Sequence, residues 1–139
     1  MEKTLHNNDR LIIEKISPRF GKLNRGDIVT LDVSDLESMK NSPIIKRVIG
    51  IEGDLIEIKD KKVYVNGTAL VENYTNGEGT EDVNFSKVTV PPGQIYVIGD
   101  NRMPYASNDS RNIGPLEIKR VGGRAIFRFF PFDKIGVIK

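Results

Sequence analysis

The sequence predicts a mostly β domain with one small irregular excursion, and three observations carry that reading. Short runs of β-branched and apolar residues recur along the chain, such as Ile28–Val33 (IVTLDV) and Gln94–Ile98 (QIYVI). Glycine, proline, asparagine and aspartate punctuate them at turn spacing. Between Thr68 and Ser86 the pattern fails, and Asn73–Asp82 (NYTNGEGTED) is polar, glycine-containing and aperiodic.

Taken in order, Arg10–Ile16 (RLIIEKI) reads as a first strand closed by Ser17-Pro18, and Gly21–Gly26 as a turn-rich connection. Ile28–Val33 is a second strand, and Asp35–Ser42 a polar loop with room for a helical turn. Ile44–Ile49 and Leu55–Ile58 follow, separated by Gly53-Asp54. Asp60-Lys61-Lys62 turns the chain into Val63-Tyr64-Val65, and Asn66-Gly67 is a strong hairpin signal. Together these predict a meander of short antiparallel strands. Residues 66–88 then read as a surface loop or excursion from the main sheet. Regular structure resumes with Val88-Thr89-Val90, the Pro91-Pro92-Gly93 turn and Gln94–Ile98, and a last strand is predicted over Gly122–Phe130.

A chain of 139 residues makes about one domain, long enough to bury a core. Its net charge is +2, with acids and bases interspersed and no basic tail, so nothing points to nucleic acid. Cysteine is absent, which removes disulfides, thiolate zinc sites and cysteine nucleophiles together. His6 is the single histidine, too few for a multi-histidine metal site and a poor basis for a Ser-His-Asp triad. No run approaches the roughly 18 apolar residues of a membrane span. The opening nine residues, Met1–Asp9, read as the cut edge of a longer polypeptide rather than as a leader.

Two stretches carry candidate chemistry. In Ile44–Gly50 (IIKRVIG), Lys46 interrupts a run of strand formers. A lysine held in apolar surroundings has its ammonium form disfavoured by desolvation, and a neutral amine can act as a general base for a serine. The competing reading is a lysine that snorkels its ammonium out of an edge strand. The second stretch, Gly99–Arg111 (GDNRMPYASNDSR), starts where a strand stops and concentrates Asp100, Asn101, Arg102, Ser107, Asp109, Ser110 and Arg111. It is either a capped, charge-rich loop or a cluster that orients a catalytic group through Arg–carboxylate pairs.

Taken together, GDIV at Gly26–Val29, KRVIG-x-x-GD at Lys46–Asp54 and GDNR…S-x-DSR at Gly99–Arg111 occur in the order found in the bacterial type I signal peptidases, a family the chain resembles from its start to at least Phe132. VNG at Val65–Gly67 and VPPGQIYVIGD at Val90–Asp100 are similar to that family's connecting segments. The resemblance implies coiled antiparallel β-sheets and a serine-lysine dyad. It makes Lys46 the general base and Ser107 the hydroxyl that orients the lysine, with Ser110 the alternative. Asp109 and Arg111 match the acid–base pair that braces the loop, and Asp100 and Arg102 belong to the same scaffold. The nucleophile of the family lies in a Ser-Met-x-Pro-Thr-Leu motif. Met1-Glu2-Lys3-Thr4-Leu5 aligns from the methionine onward, so the serine is expected immediately before Met1.

Departures are Lys3 in place of the motif's proline and four residues, Met103 to Ala106, between GDNR and Ser107, where the family commonly has two. The internal Ser38-Met39 pair lacks the following x-Pro-Thr-Leu and reads as ordinary loop.

By resemblance the substrates are secreted preproteins cut after small-x-small motifs, no cofactor or metal is needed, and a transmembrane anchor places the catalytic domain on the extracytoplasmic face of the cell membrane. This polypeptide, without its serine, is expected to be inactive. In Ala125–Phe132 (AIFRFFPF), Phe127 and Phe129 share a face and are predicted in the core, whereas Phe130 and Phe132 could meet membrane lipid. Two further functions stay open: a catalytically defective relative that binds secreted or surface-assembled proteins, and a self-cleaving repressor protease. The latter shares Ser-Lys chemistry, but this chain shows neither its loop pattern nor DNA-binding helices.

Overall fold

The computed structural model describes residues 1, 4–37, 43–77, 79–81, 83–103 and 106–139. Lys3 and the Ser38-Met39 pair lie outside the described residues. The strands are β1 (Arg10–Glu14), β2 (Ile28–Leu31), β3 (Ile44–Gly50), β4 (Leu55–Lys59), β5 (Lys62–Val65) and β6 (Thr68–Ala69), then β7 (Lys87–Thr89), β8 (Gln94–Ile98), β9 (Leu116–Glu117), β10 (Val121–Phe130) and β11 (Gly136–Val137). Two one-turn helices accompany them, α1 (Ile16–Arg19) and α2 (Ser110–Ile113). The main sheet runs β1-β10-β2-β3-β8-β9, with β11 also on β10, and the smaller sheet runs β6-β5-β4-β7. Every pairing is antiparallel.

The alternating apolar pattern becomes three clusters. Val29, Leu31, Val48, Ile95 and Val97 fill the centre of the main sheet's first face. Ile49, Ile56, Val63, Tyr96 and Ile98 join the main sheet to the smaller one. Leu5, Ile28 and Ala125 close the other face with Met1 and Ile45 packed on them. The junction between sheets is stitched by Asp54, which accepts from Arg25 Nε at 2.7 Å and Nη2 at 2.6 Å, from the Ile51 backbone at 2.9 Å and from Asn66 Nδ2 at 2.9 Å. The Arg25 guanidinium, with these further donors, holds the Asp54 carboxyl down at about 2.

Four expectations are corrected. The first strand stops at Glu14 rather than Ile16, because the Glu14 carboxylate accepts the backbone N–H groups of Ile16 and Ser17 and starts a helical turn there. Pro18 sits in that first turn, where its missing N–H is tolerated. The strands do not form a simple meander: β10 lies between β1 and β2. Its insertion depends on Gly123, where a Cβ would stand 2.3 Å from Ile13 Cγ2 and 2.9 Å from the Glu14 carbonyl. β10 is also not the final strand, since β11 returns to pair Phe127 with Val137.

The fourth correction concerns Phe129, which is 42 % exposed. Leu11 and Ile13 pack inward with Ile28 and Ala125, so Ile12, paired with Phe127, stands on the opposite, open face. Ile12, Phe129 and Val137 are all exposed hydrophobics there. Phe130 is half-buried and meets the 78 %-exposed Phe132 edge to face at 5.5 Å.

Candidate active site

Strand β3 presents Lys46 and Arg47 to opposite faces, as strand geometry requires. Lys46 is paired with Val29 of β2, and its face of the strand carries Ile44 and Val48, all three belonging to one apolar cluster. Among the described residues no hydrogen bond or ion pair holds its ammonium. Burial lowers the Lys46 pKa; the Asp109 carboxylate pulls it back up and the Arg111 guanidinium adds to the lowering. Charges of opposite sign thus act on an amine whose ammonium form burial already disfavours.

Arg47, on the other face, is fully buried and forms a bidentate pair with Asp100, Nε to Oδ1 at 2.9 Å and Nη2 to Oδ2 at 2.8 Å. Its Nη1 donates to the Gly26 carbonyl at 2.9 Å, and its guanidinium stacks 3.9 Å above the Tyr74 ring. Thr4 donates to the same Asp100 carboxylate, and the Asp100 backbone N–H lies 3.3 Å from Met1 Sδ. These contacts bring the start of the chain against the β8 end.

The loop after β8 continues to the Lys46 side. Asp109 caps α2, accepting from Arg111 N at 3.2 Å, and also accepts from the Gly99 backbone at 3.1 Å. The Arg111 side chain pairs with it through Nε at 2.9 Å and Nη2 at 3.0 Å, both residues buried. Arg111 Nη1 reaches the Arg102 carbonyl at 3.2 Å. Arg102 is itself fully buried: Nε bonds the Gly99 carbonyl at 2.9 Å, Nη1 bonds Thr80 Oγ1 at 2.7 Å, and both Nη atoms grip Glu72 at 2.9 and 2.6 Å. Arg47, Arg102 and Arg111 thus each have a carboxylate of their own.

The two candidate hydroxyls are used differently. Ser110 Oγ accepts the Val97 N–H at 2.9 Å and is committed to the β8 backbone. Ser107 Oγ is buried with no hydrogen-bond partner among the described residues. It lies so close to Gly99 that a Cβ there would stand 2.8 Å from it. A buried hydroxyl without a partner is uncommon and calls for a cause.

Sequence reasoning missed Arg47, Glu72, Tyr74 and Thr80. The 66–88 stretch was expected as a surface excursion, yet Glu72 and Thr80 reach back to Arg102, and Tyr74 covers Arg47. The one signal that could have flagged Arg47 is its place in an apolar strand beside Lys46.

Several clefts lie near these residues, two of them of about 600 and 540 Å³. The first is lined by Met1, Leu5, His6, Asn7 and Ile45, and so adjoins β3 one residue before Lys46. The second is lined by residues including Asp35, Leu36, Ile113 and Glu117, beyond the far end of α2. Among the described residues no helix is long and apolar enough to cross a membrane.

Comparison with known proteins gives the family. A family model described as signal peptidase, peptidase S26, matches residues 1–130. Signal peptidase I of Bacillus licheniformis is 40 % identical over 144 residues, covering 97 % of this chain and 74 % of that protein. A probable signal peptidase I-2 of Synechocystis is 41 % identical over 140 residues, covering 99 % of this chain and 62 % of its own length. A crystal structure of a signal peptidase I from Enterococcus faecalis superposes with a TM-score of 0.59 at 31 % identity, covering 74 % of this chain and 96 % of that one. The chain belongs to the signal peptidase family, peptidase S26.

Proposed function

We propose that this chain supplies the general base of a serine-lysine endopeptidase that removes signal peptides from secreted preproteins. Lys46 is the base, and the nucleophile is a serine encoded immediately before Met1. The observation that carries this reading is the setting of Lys46: a strand lysine on an apolar face, its neutral form favoured by burial, with Asp109 and Arg111 as its charged neighbours. Ser107, whose buried hydroxyl has no hydrogen-bond partner among the described residues, is the orienting group; Ser110 is occupied by the β8 backbone. Asp100, Arg102, Asp109 and Arg111 hold the loop.

In the reaction, neutral Lys46 takes the serine proton as the oxygen attacks the scissile carbonyl. The resulting ammonium gives that proton to the leaving amine as the C–N bond breaks, leaving an acyl-enzyme. Lys46 then deprotonates a water that attacks the ester, and the ammonium returns the proton to the serine oxygen. Backbone N–H at the serine would stabilise the oxyanion in both steps. Arginine cannot replace Lys46, because a guanidinium stays protonated.

The cleft lined by Met1, Leu5, His6, Asn7 and Ile45 adjoins β3, and its apolar members Met1, Leu5 and Ile45 suit an extended segment ending in small side chains such as Ala-x-Ala. The open face of β1, β10 and β11, with Ile12, Phe129 and Val137 and with Phe132 beside it, suits contact with lipid on the extracytoplasmic side.

The test is cleavage of an Ala-x-Ala signal-peptide substrate in detergent by the chain extended upstream through the encoded residue before Met1. Cleavage that Lys46→Ala and Lys46→Arg both abolish is expected, and the 139-residue chain itself should be inert. A folded extended protein that does not cleave would overturn the reading and favour a binding role for secreted proteins.

A further inference from the structure

The segment joining the smaller sheet to the site is not used by the mechanism above, although it supplies three side chains to the loop that faces Lys46. Glu72 stands between β6 and β7, and its two carboxylate oxygens accept 2.9 and 2.6 Å bonds from the Arg102 guanidinium. Arg102 is fully buried and Glu72 nearly so, at 0 % and 11 % side-chain exposure. Thr80 adds a third bond to Arg102, and Tyr74 donates to Glu72 at 3.0 Å while its ring lies 5.9 Å from the same guanidinium. The backbone of this segment is tied to α2 as well, Phe85 N donating to the Arg111 carbonyl at 3.0 Å.

From Arg102 the contacts continue inward. Its carbonyl accepts from Arg111 Nη1, and Arg111 grips Asp109 with its remaining donors. Asp109 and Arg111 are the charged groups that act on Lys46; Val29, Ile44 and Val48 on its own face are apolar. We propose that Glu72 is a positioning residue for Lys46, acting through Arg102 on the placement of the Arg111–Asp109 pair. The smaller sheet is then part of the catalytic apparatus rather than an appendage. This rests on Lys46 being the base.

Removing the Glu72 charge leaves Arg102 a buried cation short of its counter-ion, so the guanidinium must shift toward other acceptors. Arg111 then loses a fixed carbonyl, and its hold on Asp109 loosens. A less neutralised Asp109 stabilises the Lys46 ammonium, which moves the lysine titration upward.

The test substitutes Glu72→Gln and, as a milder lesion in the same path, Thr80→Val, with Ile58→Val in the smaller sheet's core as a control for stability loss. Lys46 is followed in the 139-residue chain by carbon-detected NMR titration of labelled lysine, which needs no activity. Glu72→Gln should raise the Lys46 midpoint by about half a pH unit or more, Thr80→Val by less, and Ile58→Val not at all. In the extended protein, Glu72→Gln should lower kcat on the order of tenfold, leave KM in place and move the acid limb of the kcat profile upward. A Lys46 midpoint that stays or falls in both path variants overturns the proposal. An inactive extended parent would instead overturn the peptidase reading, with the titration still reporting on Glu72.

Discussion

Replacing Asp100 by alanine removes the carboxylate that faces the buried Arg47 guanidinium. Two ion-pair hydrogen bonds of 2.9 and 2.8 Å and the Thr4 hydroxyl bond are lost together. Arg47 keeps the Gly26 carbonyl and the Tyr74 ring, but both are already engaged, so neither offers new compensation. Breaking one side of a buried pair costs about 3–5 kcal/mol. A domain of this size has roughly 7–20 kcal/mol in total, so the variant should still fold. In urea, with a slope of about 2 kcal/mol per molar, the midpoint should fall by about 1.5–2.5 M. Arg47→Met/Asp100→Leu, which replaces the pair with apolar groups of similar volume, should recover most of that loss. Chemical denaturation of the two single variants and the double variant measures this as a coupling energy. A cost below about 1 kcal/mol for Asp100→Ala, or single-variant losses that simply add in the double, would refute the reasoning that the pair is a dry, closed unit.

Lys46→Met should stabilise the protein at neutral pH, because the folded state disfavours an ammonium that the unfolded chain carries freely. Since the folded pKa is the lower one, the unfolded chain binds more protons between the two values; parent stability should rise with pH there, and its deficit against Lys46→Met in thermal melts should narrow. Asp54, whose folded pKa is also the lower one, gives a slope of the same sign at acid pH: with its carboxyl held at about 2, its contribution is present above about pH 4 and is lost as pH falls toward 2. Arg25 is about half exposed, so that contribution should be about 1 kcal/mol after screening, and Arg25→Ala should flatten the acid limb of a stability–pH curve accordingly. Gly99→Ala should push Ser107 aside, since the new methyl would stand 2.8 Å from Ser107 Oγ. The extended protein is then expected to lose activity out of proportion to any change in Tm, and equal losses would mean that Ser107 is merely structural.

Local signals were legible and long-range partners were not. Gln94–Ile98 is a strand over the same residues that its apolar run marks, and Asn66-Gly67 makes the hairpin turn into β6 with φ of 51° and 83°. Arg102, Asp109 and Arg111 of the 99–111 stretch gather beside Gly99, whereas Asp100 turns to Arg47 on the other face of β3. By contrast, a two-residue period tells which face a strand residue occupies and nothing about its neighbour strand. That is why β10 between β1 and β2 was missed. Phe129 has a related cause: alternation puts Phe127 and Phe129 on the face of the buried Ala125, but the register shift between Ile12 and Ile13 in the β1–β10 pairing turns the later residues to the open face. Glu72 and Thr80 were invisible for another reason. They sit in an aperiodic polar segment, and only the fold shows that it returns to Arg102.

The three buried arginines have a consequence for how this sequence can drift. Arg47, Arg102 and Arg111 are each matched to one carboxylate, at Asp100, Glu72 and Asp109. Loss of the charge at any one of these six positions strands its partner as a buried cation or a buried anion. A neutral exchange must therefore come two residues at a time, across chain separations of 53, 30 and 2 residues. The fastening points of the loop beside Lys46 are therefore coupled, so that a charge lost at one of them is offset only by a second change at its partner.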